Sequence, residues 1–193
     1  MIAKDLPFSD AEYARRLAKT RAAMAARGIE VLFVTDPSNQ HWLTGYDGWS
    51  FYVHQGVIVL PEADPVWWGR NQDANGAVRT VWMTDDRVIG YADNYVQSTE
   101  RHPMQDLVER LRGMGLAAAR IGVEMDNYYF SAKAMEVLRA ELPDATFLDA
   151  TALVNWQRGV KSDEELAFMR KAALISEKIT DGLMERVEPG IPK

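Results

Sequence analysis

The chain has 193 residues and no cysteine, which excludes disulfides, zinc knuckles and thiol nucleophiles. No apolar run approaches the ~18 residues that a membrane-spanning helix needs. No run of lysine or arginine offers a basic patch, and the net charge of −6 with a pI near 5.1 leaves no nucleic-acid footprint. Neither nucleic acid nor a membrane is therefore expected as a partner. The start, Met1 to Pro7, shows no apolar h-region and no cleavage site, so a cytoplasmic location is expected. Of the three histidines, His41, His54 and His102, no two have the spacing of a metal pair on one helix face. P-loop, HExxH, G-x-S-x-G and EF-hand signatures are missing. Gly113–Met114–Gly115–Leu116–Ala117–Ala118 matches a dinucleotide fingerprint only superficially, because it closes a helix instead of following a strand. With no complete nucleophile–base or metal set, the chain alone is expected to be catalytically inert and to hold no cofactor.

What is present is an ordinary globular composition, 47% hydrophobic and 26% charged. Ser9–Asp10–Ala11–Glu12 opens a first helix that ends at Gly28, with Tyr13, Leu17 and Met24 on its apolar side and Arg15, Arg16, Lys19 and Arg21 toward water. Val31–Val34 is a short buried strand, and Asp36–Pro37 launches a helical turn carrying Trp42 and Leu43. Phe51–Val53 and Val57–Leu60 read as strand material, with Val66–Gly69 pairing back as a hairpin. Trp67 and Trp68 then point opposite ways, which puts one of them in the core. Helices are expected near Gln72–Trp82, from Pro103 to Gly113 or Gly115 with His102 as the cap before Pro103, and over Ser131–Leu142. Arg87–Gly90, Arg120–Glu124 and Ala145–Leu148 are further strands. A second capping box, Ser162–Asp163–Glu164–Glu165, opens a long helix reaching Glu188–Pro189–Gly190. Phe168, Ala172, Ile175, Ile179, Leu183 and Val187 form one apolar stripe along it. This alternation predicts an α/β fold, a three-layer mixed sheet of about six strands with helices on both faces.

The stretch from Gly45 to Gln55 packs four aromatic residues, a histidine and polar groups around two glycines. Strand alternation would place Trp49, Phe51 and Val53 on one face and Ser50, Tyr52 and His54 on the other. Trp49, Tyr52 and His54 then either contact a ligand or fill the core. Asp47 is either a turn former or a ligand contact. Glu124 and Asp126 close a strand where α/β sites often form, and equally suit a rim charge and a turn former.

Three segments, with a fourth short stretch near the end, resemble the creatinase / Xaa-Pro peptidase ("pita-bread") family. Arg16–Leu17, Arg21, Met24, Gly28 and Val31–Val34 are similar to its opening helix and strand. Asn39–Gln40–His41–Trp42–Leu43–Thr44–Gly45–Tyr46 is similar to its N-x-x-Y-L-T-G-Y turn, with Trp42 at the usual tyrosine. Arg158–Gly159–Val160–Lys161–Ser162–Asp163–Glu164–Glu165 and Met169–Ala173 resemble its linker, and Glu188–Pro189–Gly190–Ile191 its step into the catalytic domain. Within the family the Gly45–Gln55 stretch is most similar to the ectoine hydrolase branch, with Xaa-Pro dipeptidases and creatinase-like amidinohydrolases close by.

The resemblance implies a creatinase/prolidase N-terminal domain with a ribonuclease H-like motif over 1–160. Residues 161–193 are then the linker and first helix of a missing C-terminal catalytic domain. It implies a homodimeric C–N hydrolase of a small molecule or dipeptide, whose divalent metal pair (Mn, Co or Zn) lies in that domain; creatinase-like members work without metal. This domain would supply dimer contacts and a loop into the neighbouring subunit's pocket. Trp49 and Phe51 would be the pocket wall, Tyr52 and His54 polar contacts, and Asp47 a partner for a cationic, amidine-like substrate. A stand-alone binding module ending naturally at Lys193 is the other reading.

Overall fold

The computed structural model describes residue 4, residues 6–188 and residue 190. The expectations placed on Met1–Ala3, Asp5, Pro189, Ile191 and an end at Lys193 lie outside the described residues. The chain folds as two units, residues 1–158 and residues 159–193.

In the first unit the order is α1 (Asp10–Ala26), β1 (Val31–Val34), α2 (Pro37–Thr44), β2 (Gly56–Val59), β3 (Val66–Arg70), α3 (Asn71–Thr80), β4 (Val88–Tyr91), α4 (Pro103–Gly113), β5 (Arg120–Val123), α5 (Ala132–Glu141), β6 (Thr146–Asp149) and α6 (Leu153–Gly159), the last reaching the unit boundary. The six strands form one mixed sheet in the order β4-β3-β2-β1-β5-β6. Only β2 runs against the rest: it pairs antiparallel with β1 and β3, while β1–β5, β5–β6 and β3–β4 are parallel.

Period-two alternation sends side chains to two cores. Leu32, Val34, Val57, Val59 and Trp67 meet α1, α2, α3 and α6 through Leu17, Leu43, Ala77 and Leu153. Val31, Phe33, Ile58, Trp68 and Ile121 meet α4 and α5 through Leu107, Leu111, Ala134 and Leu138. The three-layer arrangement follows. Trp67 and Trp68 do point opposite ways, yet both are fully buried, because helices cover both faces of β3.

Helix ends follow local chemistry. The Ser9 side chain caps α1, Asp36 caps α2 ahead of Pro37, and Ser131 caps α5. The basic residues of α1 do not simply face water. Arg16 is fully buried, donating to Glu12 Oε1 (2.7 Å) and to the Trp42 carbonyl (3.0 Å). Arg15 pairs with Glu12, Lys19 donates to the Gln157 carbonyl, and Arg21 to the Leu60 and Ala63 carbonyls. Phe51–Val53 is a bend rather than a strand, so the expected alternation of faces from Trp49 to His54 does not form. Helix α6 carries no strong sequence signal. Its approach turns at Ala152, which adopts a left-handed φ of 59°.

The second unit is built on α7 (Asp163–Met184), opened by the Ser162–Glu165 capping box. The helix ends before Val187, which lies outside it. Phe168, Ile175, Ile179 and Leu183 are all exposed along its length.

Candidate functional site

Because five strands run one way and β2 the other, a single edge of the sheet collects chemistry-bearing segments. The carboxyl ends of β1, β3, β4, β5 and β6 lie there, along with the amino end of β2 and the loop that precedes it. Sheets of this class bind ligands beyond such an edge. Among the described residues, clefts open on it at two places.

The first borders the aromatic loop. Its base is pinned at several points. The Tyr46 hydroxyl donates to Gln55 Oε1 (2.9 Å), joining the residues on either side of the loop, and the Tyr46 ring packs on Trp67 at 5.0 Å. The Tyr91 hydroxyl donates to the His54 carbonyl (2.8 Å), and the Val53 amide to Ser50 Oγ (3.2 Å). A Cβ on Gly48 would fall 2.6 Å from the Tyr46 hydroxyl, so the loop closes over that ring only as glycine. Burial is the main cause that pushes the Tyr46 and Tyr91 hydroxyls above the usual tyrosine range.

On this base Trp49, Phe51 and Tyr52 stand 62%, 76% and 54% exposed. Their rings touch in sequence, Trp49 to Phe51 at 5.8 Å and Phe51 to Tyr52 at 5.6 Å. Asp47 is exposed, its amide donating to Thr80 Oγ1 (3.3 Å), and Val53 turns inward. His54, the fifth anticipated residue, is half-buried. It lines a cleft of about 170 Å³ with Tyr52, Tyr91, Tyr95, Arg101 and His102. The loop thus brings Trp49, Phe51 and Tyr52 into one cluster, puts His54 in the adjoining cleft with Tyr52, and leaves Asp47 exposed outside both.

His102 belongs to this cleft, although sequence reasoning gave it only a capping role. Its ring lies 5.0 Å from that of His54. It also caps α4, where Nδ1 accepts from the Met104 amide (3.2 Å) and Gln105 Oε1 accepts from the His102 amide (3.0 Å). Burial, then the neighbouring His54 and Lys133, push the His102 imidazole down to about 4. Burial also lowers His54, opposed by a backbone hydrogen bond with Tyr129.

The second cleft, of about 150 Å³, is lined by Asp36, Glu124, Asp126, Asn127, Thr151 and Asn155, with Ala152. Glu124 is not a rim charge: it is 3% exposed. Its Oε2 accepts from the Thr35 amide (2.7 Å) and the Asp36 amide (2.8 Å), and its Oε1 from Asn39 Nδ2 (2.6 Å). Burial raises its pKa, and these donors oppose that shift. Asn39 also donates to Asn155 Oδ1 (2.9 Å) and accepts from Arg158 (2.8 Å). Two residues singled out in the family-like motifs, Asn39 and Arg158, therefore converge here. Asp126 is exposed in the turn, where its amide donates to Thr151 Oγ1 (3.0 Å). Among the described residues no group of three or more histidine, aspartate or glutamate side chains is placed to hold a metal ion.

A mixed six-stranded sheet between two helical layers, with its loops gathered on one edge, is the architecture of creatinase/prolidase N-terminal domains. The chain belongs to that family, whose model matches residues 16–160. It is 53% identical to the ectoine hydrolase of Halomonas elongata, an alignment covering 100% of this chain and 49% of that protein. In fold it is similar to the Xaa-Pro dipeptidase from Bacillus anthracis (TM-score 0.73, 14% identity, 93% of this chain and 45% of that one). It is also similar to the N-terminal domain of Xaa-Pro dipeptidase from Lactobacillus brevis (TM-score 0.60, 18% identity, 72% of this chain and 98% of that one). The chain spans about half the length of the curated relatives it matches.

Proposed function

We propose that this chain is the non-catalytic N-terminal part of a cytoplasmic, homodimeric C–N bond hydrolase of the ectoine hydrolase or Xaa-Pro dipeptidase type. The Asp47–His54 loop walls part of the substrate pocket of the neighbouring subunit and contributes dimer contacts. The observation that carries this reading is the exposed Trp49–Phe51–Tyr52 cluster on a base held by hydrogen bonds. Exposed rings on a rigid support lose little entropy on docking and exclude water from whatever they cover. The 53% identity to an ectoine hydrolase favours that substrate over a dipeptide. In this reading residues 161–193 lead into a catalytic domain. The exposed stripe Phe168–Ile175–Ile179–Leu183 on α7 is the face that domain covers. A divalent metal pair, if the intact enzyme uses one, has its ligands in that domain.

The test is turnover of ectoine and of an Xaa-Pro dipeptide by the intact enzyme, with and without Trp49→Ala. The expected result is ectoine hydrolysis, with kcat/KM falling about tenfold in the variant, equivalent to about 1.4 kcal/mol of transition-state stabilisation. Unchanged kinetics would remove the loop from the pocket, and hydrolysis by the 193-residue chain alone would overturn the non-catalytic role.

A further inference from the structure

Three dipeptides in the chain place a glycine after an aspartate or asparagine: Asp47–Gly48, Asn75–Gly76 and Asp181–Gly182. Such pairs cyclise readily, because a residue without Cβ leaves its amide nitrogen open to the preceding side chain. The structure separates the three. Asn75–Gly76 lies inside α3 and Asp181–Gly182 inside α7. There the glycine amide is bound to a carbonyl one turn back, and helical backbone angles hold the preceding side chain away from it. Asp47–Gly48 lies in neither helix nor strand. The Asp47 side chain is exposed, and among the described residues the Gly48 amide donates to no acceptor.

The packing of the loop requires the glycine that makes this pair reactive. A Cβ at Gly48 would fall 2.6 Å from the Tyr46 hydroxyl and 2.7 Å from its ring, and that tyrosine is buried and bonded to Gln55. A bulkier residue, which would slow cyclisation, does not fit there.

We propose that Asp47–Gly48 is a site of spontaneous isomerisation, at which Asp47 becomes isoaspartate through a cyclic imide. The Gly48 nitrogen attacks the side-chain carboxyl carbon of Asp47. An N–Cγ bond forms, a Cγ–O bond breaks, and the hydroxyl leaves with the amide proton as water. A second water adds to the main-chain carbonyl carbon of Asp47 and breaks its bond to nitrogen, which takes back a proton. The composition is unchanged, but the main chain now runs through Cγ and gains a methylene, and the former main-chain carboxyl becomes a free branch. The chemistry goes beyond the pocket-wall role of the loop. It needs neither a partner subunit nor turnover, so its failure is separable from failure of the hydrolase reading.

The experiment holds the 193-residue chain for weeks in warm, near-neutral buffer, then maps tryptic peptides and labels isoaspartate by enzymatic methylation. Trypsin releases residues 28–70, whose aspartates are Asp36, Asp47 and Asp64. Asp36 and Asp64 each precede proline, which has no N–H to surrender, so isoaspartate at unchanged mass in this peptide reports Asp47. It is expected to accumulate there. Asp47→Glu has to close a larger ring and should lower the yield at least about tenfold. Asp47→Asn puts the same Asn–Gly pair in the loop and in α3. The loop pair should then lose its side-chain amide about tenfold faster than Asn75, which reacts only from a locally opened helix. Absence of isoaspartate from residues 28–70 would overturn the proposal. So would equal rates for the loop pair and Asn75, or a yield that Asp47→Glu leaves intact.

Discussion

The Glu124 corner and the aromatic loop sit on the same sheet edge and border clefts of similar size, yet they are built in opposite ways. At the corner the polar groups answer one another: a buried carboxylate meets two backbone amides and Asn39, and Asn39 meets Asn155 and Arg158. At the loop hydrogen bonds hold only the base, where the buried Gln55 Nε2 has no partner among the described residues, and three large rings face solvent. Buried polar groups cost free energy unless matched, so a matched network explains itself as structure. Rings exposed together on a pinned support lower solubility, and the pocket-wall role proposed above would account for them. That difference separates a matched polar network from an exposed aromatic cluster within one edge of one sheet.

The largest effect that tests the comparison is expected at Glu124. Glu124→Ala leaves the Thr35 and Asp36 amides and Asn39 without their acceptor and should cost about 3 kcal/mol in urea denaturation. A loss below about 1 kcal/mol would mean the corner is not held by this network. Asn39→Ala removes contacts to three partners and should cost about 2 kcal/mol by the same measurement.

On the loop side, His102→Ala should cost about 1 kcal/mol through loss of the α4 cap, and His102→Asn should restore most of it. His102 also predicts a pH dependence. Its folded pKa, about 4, lies below the ordinary histidine value, so the unfolded chain binds the proton more readily. The contribution is complete above about pH 6.5 and is lost as pH falls from there toward 4. His102→Asn should flatten that part of the stability profile, and an unchanged profile would remove His102 as its source.

The smallest stability effect belongs to the loop tip. Trp49→Ala should change the stability of the chain by no more than about 0.5 kcal/mol, as for an exposed side chain. A loss near that of Asn39→Ala would place Trp49 among the structural residues and dissolve the contrast.

Much of the fold was legible because local chemistry and tertiary packing agree. Ser9, Asp36, Ser131 and Ser162 cap helices where their hydroxyls or carboxylates precede apolar periodicity. The β-branched run Val31–Val34 and the turn before Val66 announced strands that the sheet confirms. The candidate site was legible as a stretch of unusual composition, but not in its shape. Phe51–Val53 has strand-like residues, yet the Tyr46–Gln55 and Tyr91–His54 bonds close it as a loop, and nothing local encodes those partners. His102 gave away its capping role through Pro103. Its place beside His54 depends on a contact between residues 48 positions apart in the chain.

By itself the sequence determined the alternation of helices and strands, the helix starts, the absence of thiol chemistry and the concentration of aromatics between Gly45 and Gln55. These are short-range properties, set by capping, side-chain period and residue type. Only the tertiary structure decided which charges are buried and which rings are not. Arg16 looks like a surface base until Glu12 and the Trp42 carbonyl enclose it, and Glu124 looks like a rim acid until the turn between β1 and α2 brings the Thr35 and Asp36 amides to it. Burial is a property of what arrives from elsewhere in the chain, and a charge tolerates it only when the partners that arrive can satisfy it.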